Sequence, residues 1–380
     1  MRHRKPRRPV RWVATLVCAA AACATPAIEA QEGGSPATAD RGFVPSPDGG
    51  LLRLRDLTPF DLLRLDLRPP NEQAMQGGDW VFEFDFSYQN TFAMSTNVRD
   101  YLRGRGAGRM PLTPADVAAI HALPGDAFYI DGEFGRFEFT VHRRLGKRWS
   151  ASLTVPYLAY TTGVLDGLIE NFHHYLGSSQ QGRNLVARHR FQVVYDIGGR
   201  QFSELARASA GGLGDPVLIL RHQPRHDWFG WRPVIEAAVK FAAASERDWL
   251  STGRSDYGMQ VALQRAFGPN ALHVAGSLVY YAGHRDTPTA PGQYVPTLIV
   301  GYGRRLSPRT SIVFQGYTSA SVVTGADIPQ LADNKYLLSL GFRFHARKLD
   351  WTVAVTENVG NFHNTPDIGA QLDFVYRPGG

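Results

Sequence analysis

The chain has 380 residues, of which 41 are Lys or Arg and 34 are Asp or Glu, for a formal net charge of +7. Residues 1–30 hold six of the basic residues and one acidic residue, so the remainder carries 35 minus 33, or +2. The high isoelectric point therefore gives no indication of nucleic acid binding, and we expect no nucleic-acid partner. Both cysteines, Cys18 and Cys23, also lie in this segment, which excludes disulfides and cysteine-metal sites from the rest of the chain.

Residues 1–30 have the composition of a secretory signal peptide. A basic stretch ends at Arg11, a short apolar run extends from Trp12 to Ala24, and the small residue Ala30 closes the segment. We predict cleavage after about Ala30. The apolar run is too short for a membrane-spanning helix, and no later segment approaches the required length, so a helical membrane protein is excluded.

Residues 31–79 lack a strand pattern. Their first part is rich in Gly, Ser, Pro and Ala, which is typical of a flexible leader. Thr58-Pro59 is a helix-start signature, and Phe60, Leu63 and Leu67 follow at helical spacing. We expect a short helix or turn there. The sequence leaves open whether this segment is inserted in a barrel lumen or forms a periplasmic tail.

From Trp80 onward, apolar and polar residues alternate with a period of two. Phe82, Phe84 and Phe86 alternate with Glu83 and Asp85, and similar runs of about ten residues, the length of a tilted membrane strand, recur to Tyr376. Short links alternate with long ones, of which 162–212 is the longest, as expected for periplasmic turns and external loops. We predict an all-β fold: a transmembrane antiparallel β-barrel of about 12 strands over residues 80–376, in contact with the lipid of a Gram-negative outer membrane.

The polar positions of these strands predict a charged barrel interior. The side chains expected to line the lumen are Glu83, Asp85, Arg136, Glu138, Glu236, Lys240, Arg343, His345 and Asp373. They suit a polar conduit for small solutes, and equally a salt-bridged interior that fills a small barrel. Glycines also recur at inward positions, where they allow interior groups to approach the wall closely: Gly258, Gly301, Gly303, Gly341 and Gly369.

The segment 165–176 predicts a short helix within the longest external loop. Its proposed apolar face consists of Leu165, Leu168, Ile169, Phe172 and Leu176. Such a helix is either a lid over the pore mouth or an element that only packs on the barrel rim. Glu170 and His174 are four residues apart and could share a metal with Asp166 on a helix. The spacing lacks a third firm ligand such as a histidine, so we predict charge pairing, with no metal and no cofactor.

A membrane hydrolase is a further alternative. It needs a serine activated by a histidine, with a third group to orient the imidazole. His142 and Ser150 are predicted to lie inward on neighbouring strands, although no recognisable catalytic motif surrounds them.

Several motifs resemble a known group of proteins. Asp131-Gly132-Glu133, Val155-Pro156-Tyr157 and the run from Gly163 to His173 resemble an uncharacterised family of Gram-negative outer-membrane proteins, a domain of unknown function, over roughly residues 50–376. The resemblance implies a barrel and its location, without an activity. The segment Asp367–Tyr376 resembles the signal that the barrel-assembly machinery recognises, which makes that machinery an expected partner. From these patterns we predict a channel-like or uptake protein for small solutes, gated by the loop helix, with a non-conducting structural or envelope-interaction barrel as the alternative.

Overall fold

The computed structural model describes residues 46–72, 80–106, 108–175, 180–206, 211–282, 293–323, 326–359 and 364–378, without the side chains of Phe172, His173 and Gln330. The predicted signal peptide lies outside the described residues. Fifteen strands are present in the described part: β1 Trp80–Met94, β2 Ala127–Arg144, β3 Trp149–Thr161, β4 Gln192–Ile197, β5 Arg200–Glu204, β6 Gly212–Leu213, β7 Val217–His222, β8 Arg232–Lys240, β9 Asp256–Phe267, β10 Asn270–Tyr281, β11 Gln293–Ser307, β12 Thr310–Ser319, β13 Lys335–His345, β14 Leu349–Asn358 and β15 Ile368–Tyr376.

Twelve of these strands form a closed antiparallel barrel, which confirms the predicted fold. β1 pairs with β2 on one side and with β15 on the other, and the circuit continues through β3 and then β7 to β15 in chain order. The closing register places Asp85 directly between Glu138 of β2 and Asp373 of β15. Three carboxylates therefore lie side by side on one inward row of the wall.

The two faces of the wall follow the predicted alternation. Leu340 is 40% exposed and Phe342 also 40%, whereas Ser339 is 3% and Arg343 4% exposed. Similar pairs recur around the barrel, so an apolar surface points outward and a polar one inward. This arrangement is that of a barrel whose outer face contacts lipid.

The two ends of the barrel differ in the length of their connections. At one end, which we call the short-turn end, residues 145–148 join β2 to β3, 268–269 join β9 to β10, and 346–348 join β13 to β14. At the opposite end, which we call the long-loop end, the connections carry additional elements. The helices there are α1 Thr96–Gly104, α2 Pro114–His121, α3 Asp166–Tyr175 and α4 Pro329–Ala332.

The long loops were predicted as connections only, with one helix among them. α3 confirms that helix, whereas α1, α2 and the β4–β5 hairpin are additional structure. Thr113 caps α2 in a reciprocal capping box with Asp116, and Pro114 occupies the first helical turn. β4 pairs with the part of β2 from Ala127 to Asp131, which extends this side of the wall past the barrel. In the described part of the chain, no helix is long and apolar enough to cross a membrane.

Candidate functional site

Residues 46–72 lie inside the barrel, and we call them the lumen hairpin. At the short-turn end, Asp48 Oδ2 lies 2.9 Å from His273 Nε2, and Arg343 Nη1 donates to the Asp48 carbonyl at 2.8 Å. At the long-loop end, Lys335 Nζ donates to Asp56 Oδ2 at 2.8 Å. The chain then turns at Thr58 and returns, so that Glu72 also reaches His273, at 3.7 Å. The hairpin therefore enters and leaves the lumen at the same end.

Three arginines of the lumen hairpin bind the acidic row of the wall. Arg53 Nε lies 2.8 Å from Glu83 Oε1, and Arg55 Nη2 lies 2.9 Å from Glu138 Oε1. Arg68 contacts three carboxylates, with Nη2 2.8 Å from Glu138, and with Glu83 and Asp85 at 3.4 and 3.5 Å. All of these side chains are nearly inaccessible to solvent, so each charge depends on its partner for the solvation that water would provide.

The nine side chains expected in the lumen are all placed on the wall by the structure. Eight are at most 6% exposed, and His345 is half-buried between Ser311 and Asp350. Arg136 donates to Glu138 at 2.6 Å and to the Leu62 carbonyl of the hairpin at 2.8 Å. The remaining pairs connect wall to wall or wall to loop: Arg221 with Glu236 at 2.6 Å, and Lys240 with Asp215 at 2.8 Å. The alternation of polar and apolar residues did not predict Arg53, Arg55 and Arg68 as lumen residues, because their segment has no such alternation.

Backbone groups of the lumen hairpin are bound by wall side chains. Leu52 N donates to Gln315 Oε1 at 2.8 Å, Leu57 N to Gln89 Oε1 at 2.7 Å, and Leu65 N to Asp256 Oδ2 at 3.0 Å. No strand ladder joins the hairpin to the wall among the described residues. Attachment is therefore by individual side chains, while the barrel is closed by its own backbone hydrogen bonds.

Inward glycines make room for the lumen hairpin, which confirms the predicted close approach. A methyl group at Gly341 would lie 2.5 Å from Leu52 Cδ2, and one at Gly258 would lie 2.7 Å from Leu67 Cδ1. Both distances are shorter than carbon atoms tolerate. The hairpin consequently packs directly on the backbone of β9 and β13 at these positions.

An apolar cluster closes the lumen at the long-loop end. The tip of the hairpin contributes Leu57, Phe60, Leu62 and Leu65, all buried. They pack against side chains of β2 to β4 and of the loops: Phe134, Leu158, Tyr160, Phe191, Val193, Tyr195, Trp249, Val322, Val323 and Leu331. The rings of Phe60 and Tyr195 are 5.9 Å apart. The hairpin and the loops of the long-loop end thus share one core, and neither closes this end alone.

Helix α3 does not have the apolar face that was predicted. Ile169 is 3% exposed, but Leu168 is 61% exposed, and Leu165 is half-buried. The Phe172 side chain and Leu176 lie outside the described residues. The expectation for Leu168 is wrong because polar contacts orient the helix: Glu133 accepts the backbone N–H of Val164 at 2.8 Å and of Leu165 at 2.6 Å.

Glu170 attaches the outer side of α3 to the loops. Its carboxylate binds Arg109 and Arg188. Partial burial tends to raise the pKa of Glu170, but the hydrogen bonds from the two guanidinium groups outweigh it and lower the pKa to about 2. This ion pair therefore persists well below neutral pH, as the predicted charge pairing of Glu170 requires.

We expect Ile169→Ser to detach α3, and Leu168→Ser to leave it in place. Full burial of such a side chain contributes roughly 1.5–3 kcal/mol, which the exposed Leu168 does not supply. The measurement is cleavage of the 162–212 loop by a protease added to intact cells, which also requires the loop to be external. Equal cleavage of both variants would contradict the assigned packing, and protection of both until the cells are lysed would contradict the orientation.

His142 does not pair with Ser150 as the hydrolase alternative required. His142 Nδ1 lies 2.7 Å from Ser152 Oγ, and Nε2 lies 2.9 Å from Glu83 Oε2. Ser152 is the residue opposite His142 in the β2–β3 register, whereas Ser150 is opposite Arg144. Glu83 is in turn bound by Arg53 and Asn71 of the hairpin, so this triplet is a part of the hairpin attachment.

Comparisons with solved structures return proteins of low sequence identity. An outer-membrane channel from Pseudomonas putida F1 is 10% identical, with a TM-score of 0.46, over 83% of this chain and 97% of that one. The P. putida toluene transporter TodX is 8% identical, with a TM-score of 0.39, over 80% and 92%. Outer membrane phospholipase A from Escherichia coli is 10% identical, with a TM-score of 0.34, over 78% and 89%.

No curated protein matches the chain in sequence. A family model does match, over residues 110–377, which comprise all of the barrel except β1, and it carries the description "Protein of unknown function (DUF3187)". The chain belongs to this family of proteins of unknown function.

Proposed function

We propose that this protein is an outer-membrane channel for small polar solutes whose lumen is closed at rest by the lumen hairpin. Short turns face the periplasm in outer-membrane barrels, so the hairpin enters from the periplasmic side. The observation that carries the proposal is the mode of attachment. Ion pairs and side-chain hydrogen bonds hold the hairpin, and its departure breaks none of the strand pairing that keeps the barrel closed.

The wall left behind by the hairpin suits polar solutes. Departure of Arg53, Arg55 and Arg68 uncovers the row of Glu83, Asp85, Glu138 and Asp373. A cluster of carboxylates on the wall of a water-filled lumen favours cations over anions. In this proposal the hairpin is the gate, and α3 closes only the outer surface of the loop region.

A second candidate is a permanently filled barrel with a structural or envelope-interaction role. Small internal spaces favour it. One cavity of about 20 Å³ lies beside Glu72 and His273, and another of about 10 Å³ lies between Asp56, Asp66 and Tyr317, so each has room for about one water molecule. The apolar cluster at the long-loop end also favours it, since it would have to separate before any solute could pass.

Conductance in planar bilayers distinguishes the two candidates. Deletion of residues 46–72 should give a steady, cation-selective conductance, while the intact protein should open only intermittently. Heat-modifiable migration on gels serves as the control for a folded barrel. A folded deletion variant that does not conduct would exclude the channel altogether.

A cross-linked variant tests whether the hairpin moves in the intact protein. The Asp48 Cβ lies 2.7 Å from the position of a methyl group at Gly303, so that a small shift allows a disulfide in the variant D48C/G303C. Oxidation should abolish the intermittent openings and reduction should restore them. If the intact protein and the reduced variant never open, although the deletion variant conducts, the permanently filled barrel is correct.

A further inference from the structure

The short-turn end carries an exposed collar of basic side chains. Across residues 143–149, 222–232, 265–270, 304–310 and 345–349, eight exposed Lys or Arg side chains stand against one exposed acidic residue, Asp227. We call these eight the basic collar: Arg144, Lys147, Arg225, Arg304, Arg305, Arg309, Arg347 and Lys348. The long-loop end has no such bias in its described part, since its exposed arginines are mixed with Asp100, Glu246, Asp248, Asp327 and Asp333.

Aromatic side chains on the lipid-facing surface border the basic collar. Trp80, Trp149, Phe267 and Tyr376 are 43–48% exposed, and all lie at the short-turn ends of their strands. The Arg143 guanidinium lies 4.5 Å from the ring centre of Trp80. Trp and Tyr occupy the headgroup level of a bilayer. Cations in the adjoining turns therefore lie at the depth of the lipid phosphates.

The turn between β7 and β8, at the same end of the barrel, carries further aromatic side chains. Trp228 and Trp231 pair through two backbone hydrogen bonds of 2.7 and 2.9 Å, and between them Phe229 is 100% exposed. Phe229 has a φ of +53°, a left-handed conformation that a bulky side chain rarely adopts. The strained turn thus presents a fully exposed apolar ring in the same connection as Arg225 of the basic collar.

We propose that the short-turn end binds the headgroups of anionic phospholipids in the periplasmic leaflet. The basic collar supplies charge for the phosphate groups, and the aromatic border, with Phe229, supplies rings for the interfacial region next to them. A soluble polyanion would match the charge alone. It would not account for exposed aromatic rings that continue the lipid-facing surface of the barrel, and this continuity favours lipid.

Lipid selectivity of the full barrel tests the proposal independently of conductance. The protein is folded into phosphatidylcholine bilayers that contain spin-labelled phosphatidylglycerol or phosphatidylcholine, and electron paramagnetic resonance gives their relative association. Phosphatidylglycerol should associate about two- to fivefold more strongly, through attraction of its charge to juxtamembrane cations. The preference should disappear in 1 M salt, where the screening length is about 3 Å.

Two matched variants locate the effect. R304Q/R305Q/R309Q/R347Q/K348Q removes five charges from two neighbouring turns of the basic collar and should lose the preference. R103Q/R190Q/R200Q/R247Q/R254Q removes five exposed charges from the long-loop end and should keep it.

Two outcomes would overturn the proposal. The first is an intact protein that shows no preference for phosphatidylglycerol, and the second is a preference that the collar variant retains. In the first case, collar-dependent retention on an immobilised polyanion such as heparin would assign the collar to a soluble polyanion.

Discussion

Replacement of Arg68 by methionine is expected to loosen the lumen hairpin more than any other single substitution in it. Arg68 lies within 3.5 Å of carboxylate oxygens of Glu83, Asp85 and Glu138, and it is almost fully buried. Loss of one partner of a buried ion pair costs about 3–5 kcal/mol, because the remaining charge stays buried without compensation. Here one cation serves three carboxylates.

Hydrogen exchange measures this effect directly. The backbone N–H groups of Leu52, Leu57 and Leu65 donate hydrogen bonds to side chains of the wall. Their protection from exchange therefore reports the docking equilibrium of the hairpin. At about 1.4 kcal/mol for each factor of ten, their protection should fall by about two to four orders of magnitude. Amides in the β11–β12 ladder, which do not depend on the hairpin, should remain protected.

Two further variants identify the cause. Arg188→Met removes an exposed arginine from Glu170, which keeps Arg109. It should leave these three amides unchanged, since a pair with an exposed partner contributes about 0–1 kcal/mol. Asp85→Asn in the Arg68→Met background should restore part of the protection, because it removes the charge left uncompensated, whereas Glu83 keeps Arg53 and Glu138 keeps Arg55 and Arg136. Unchanged protection in Arg68→Met would mean that apolar packing at the tip, and not the ion pairs, holds the hairpin.

Replacement of Leu340 by arginine is expected to destabilise the barrel by about 2–4 kcal/mol, the cost of a cation on the lipid-facing side at mid-bilayer depth. Leu340 is the central residue of β13 and is 40% exposed on the outward face. Tyr336 lies on the same face of the same strand, close to the long-loop end. Tyr336→Arg should cost only about 0–1 kcal/mol, because it lies near the membrane interface.

Equilibrium unfolding by urea in phosphatidylcholine vesicles gives both free energies. The decisive quantity is the difference between the free energies of unfolding of the two variants, since both introduce arginine into the same strand and differ in depth. Similar costs at positions 336 and 340 would contradict the depth assigned to β13. Two neutral substitutions would mean that this face does not contact lipid.

Alternation along each strand, together with the strand lengths and the alternation of short and long links, was sufficient to predict the barrel. In β13, Leu338, Leu340 and Phe342 point outward, while Ser339 and Arg343 point inward, and this parity is a local property of an extended chain. The same parity gives the inward placement of Glu83, Asp85 and Glu138. It also predicts that Gly258 and Gly341 face inward. At both positions the absence of a side chain lets the hairpin approach the wall.

Other features depend on contacts between distant segments. Spacing alone assigns Leu168 and Ile169 to one apolar face of the helix. In the structure, the backbone N–H groups of Val164 and Leu165 donate to Glu133, and this orientation of the helix turns Leu168 toward solvent. Ser150 and Ser152 both occupy inward positions of β3, so alternation alone permits either serine as the partner of His142. The β2–β3 register selects Ser152. A period of two determines the face of a residue and not its partner.

The sequence by itself thus determined a barrel wall with an apolar outer face and a charged inner face, because both faces follow from alternation within single strands. Only the tertiary structure decided what that interior holds. Arg53, Arg55 and Arg68 lie in a segment without periodicity, and their carboxylate partners lie on strands that begin later in the chain. Buried charges require partners at contact distance, and those partners are brought together by closure of the barrel around the hairpin.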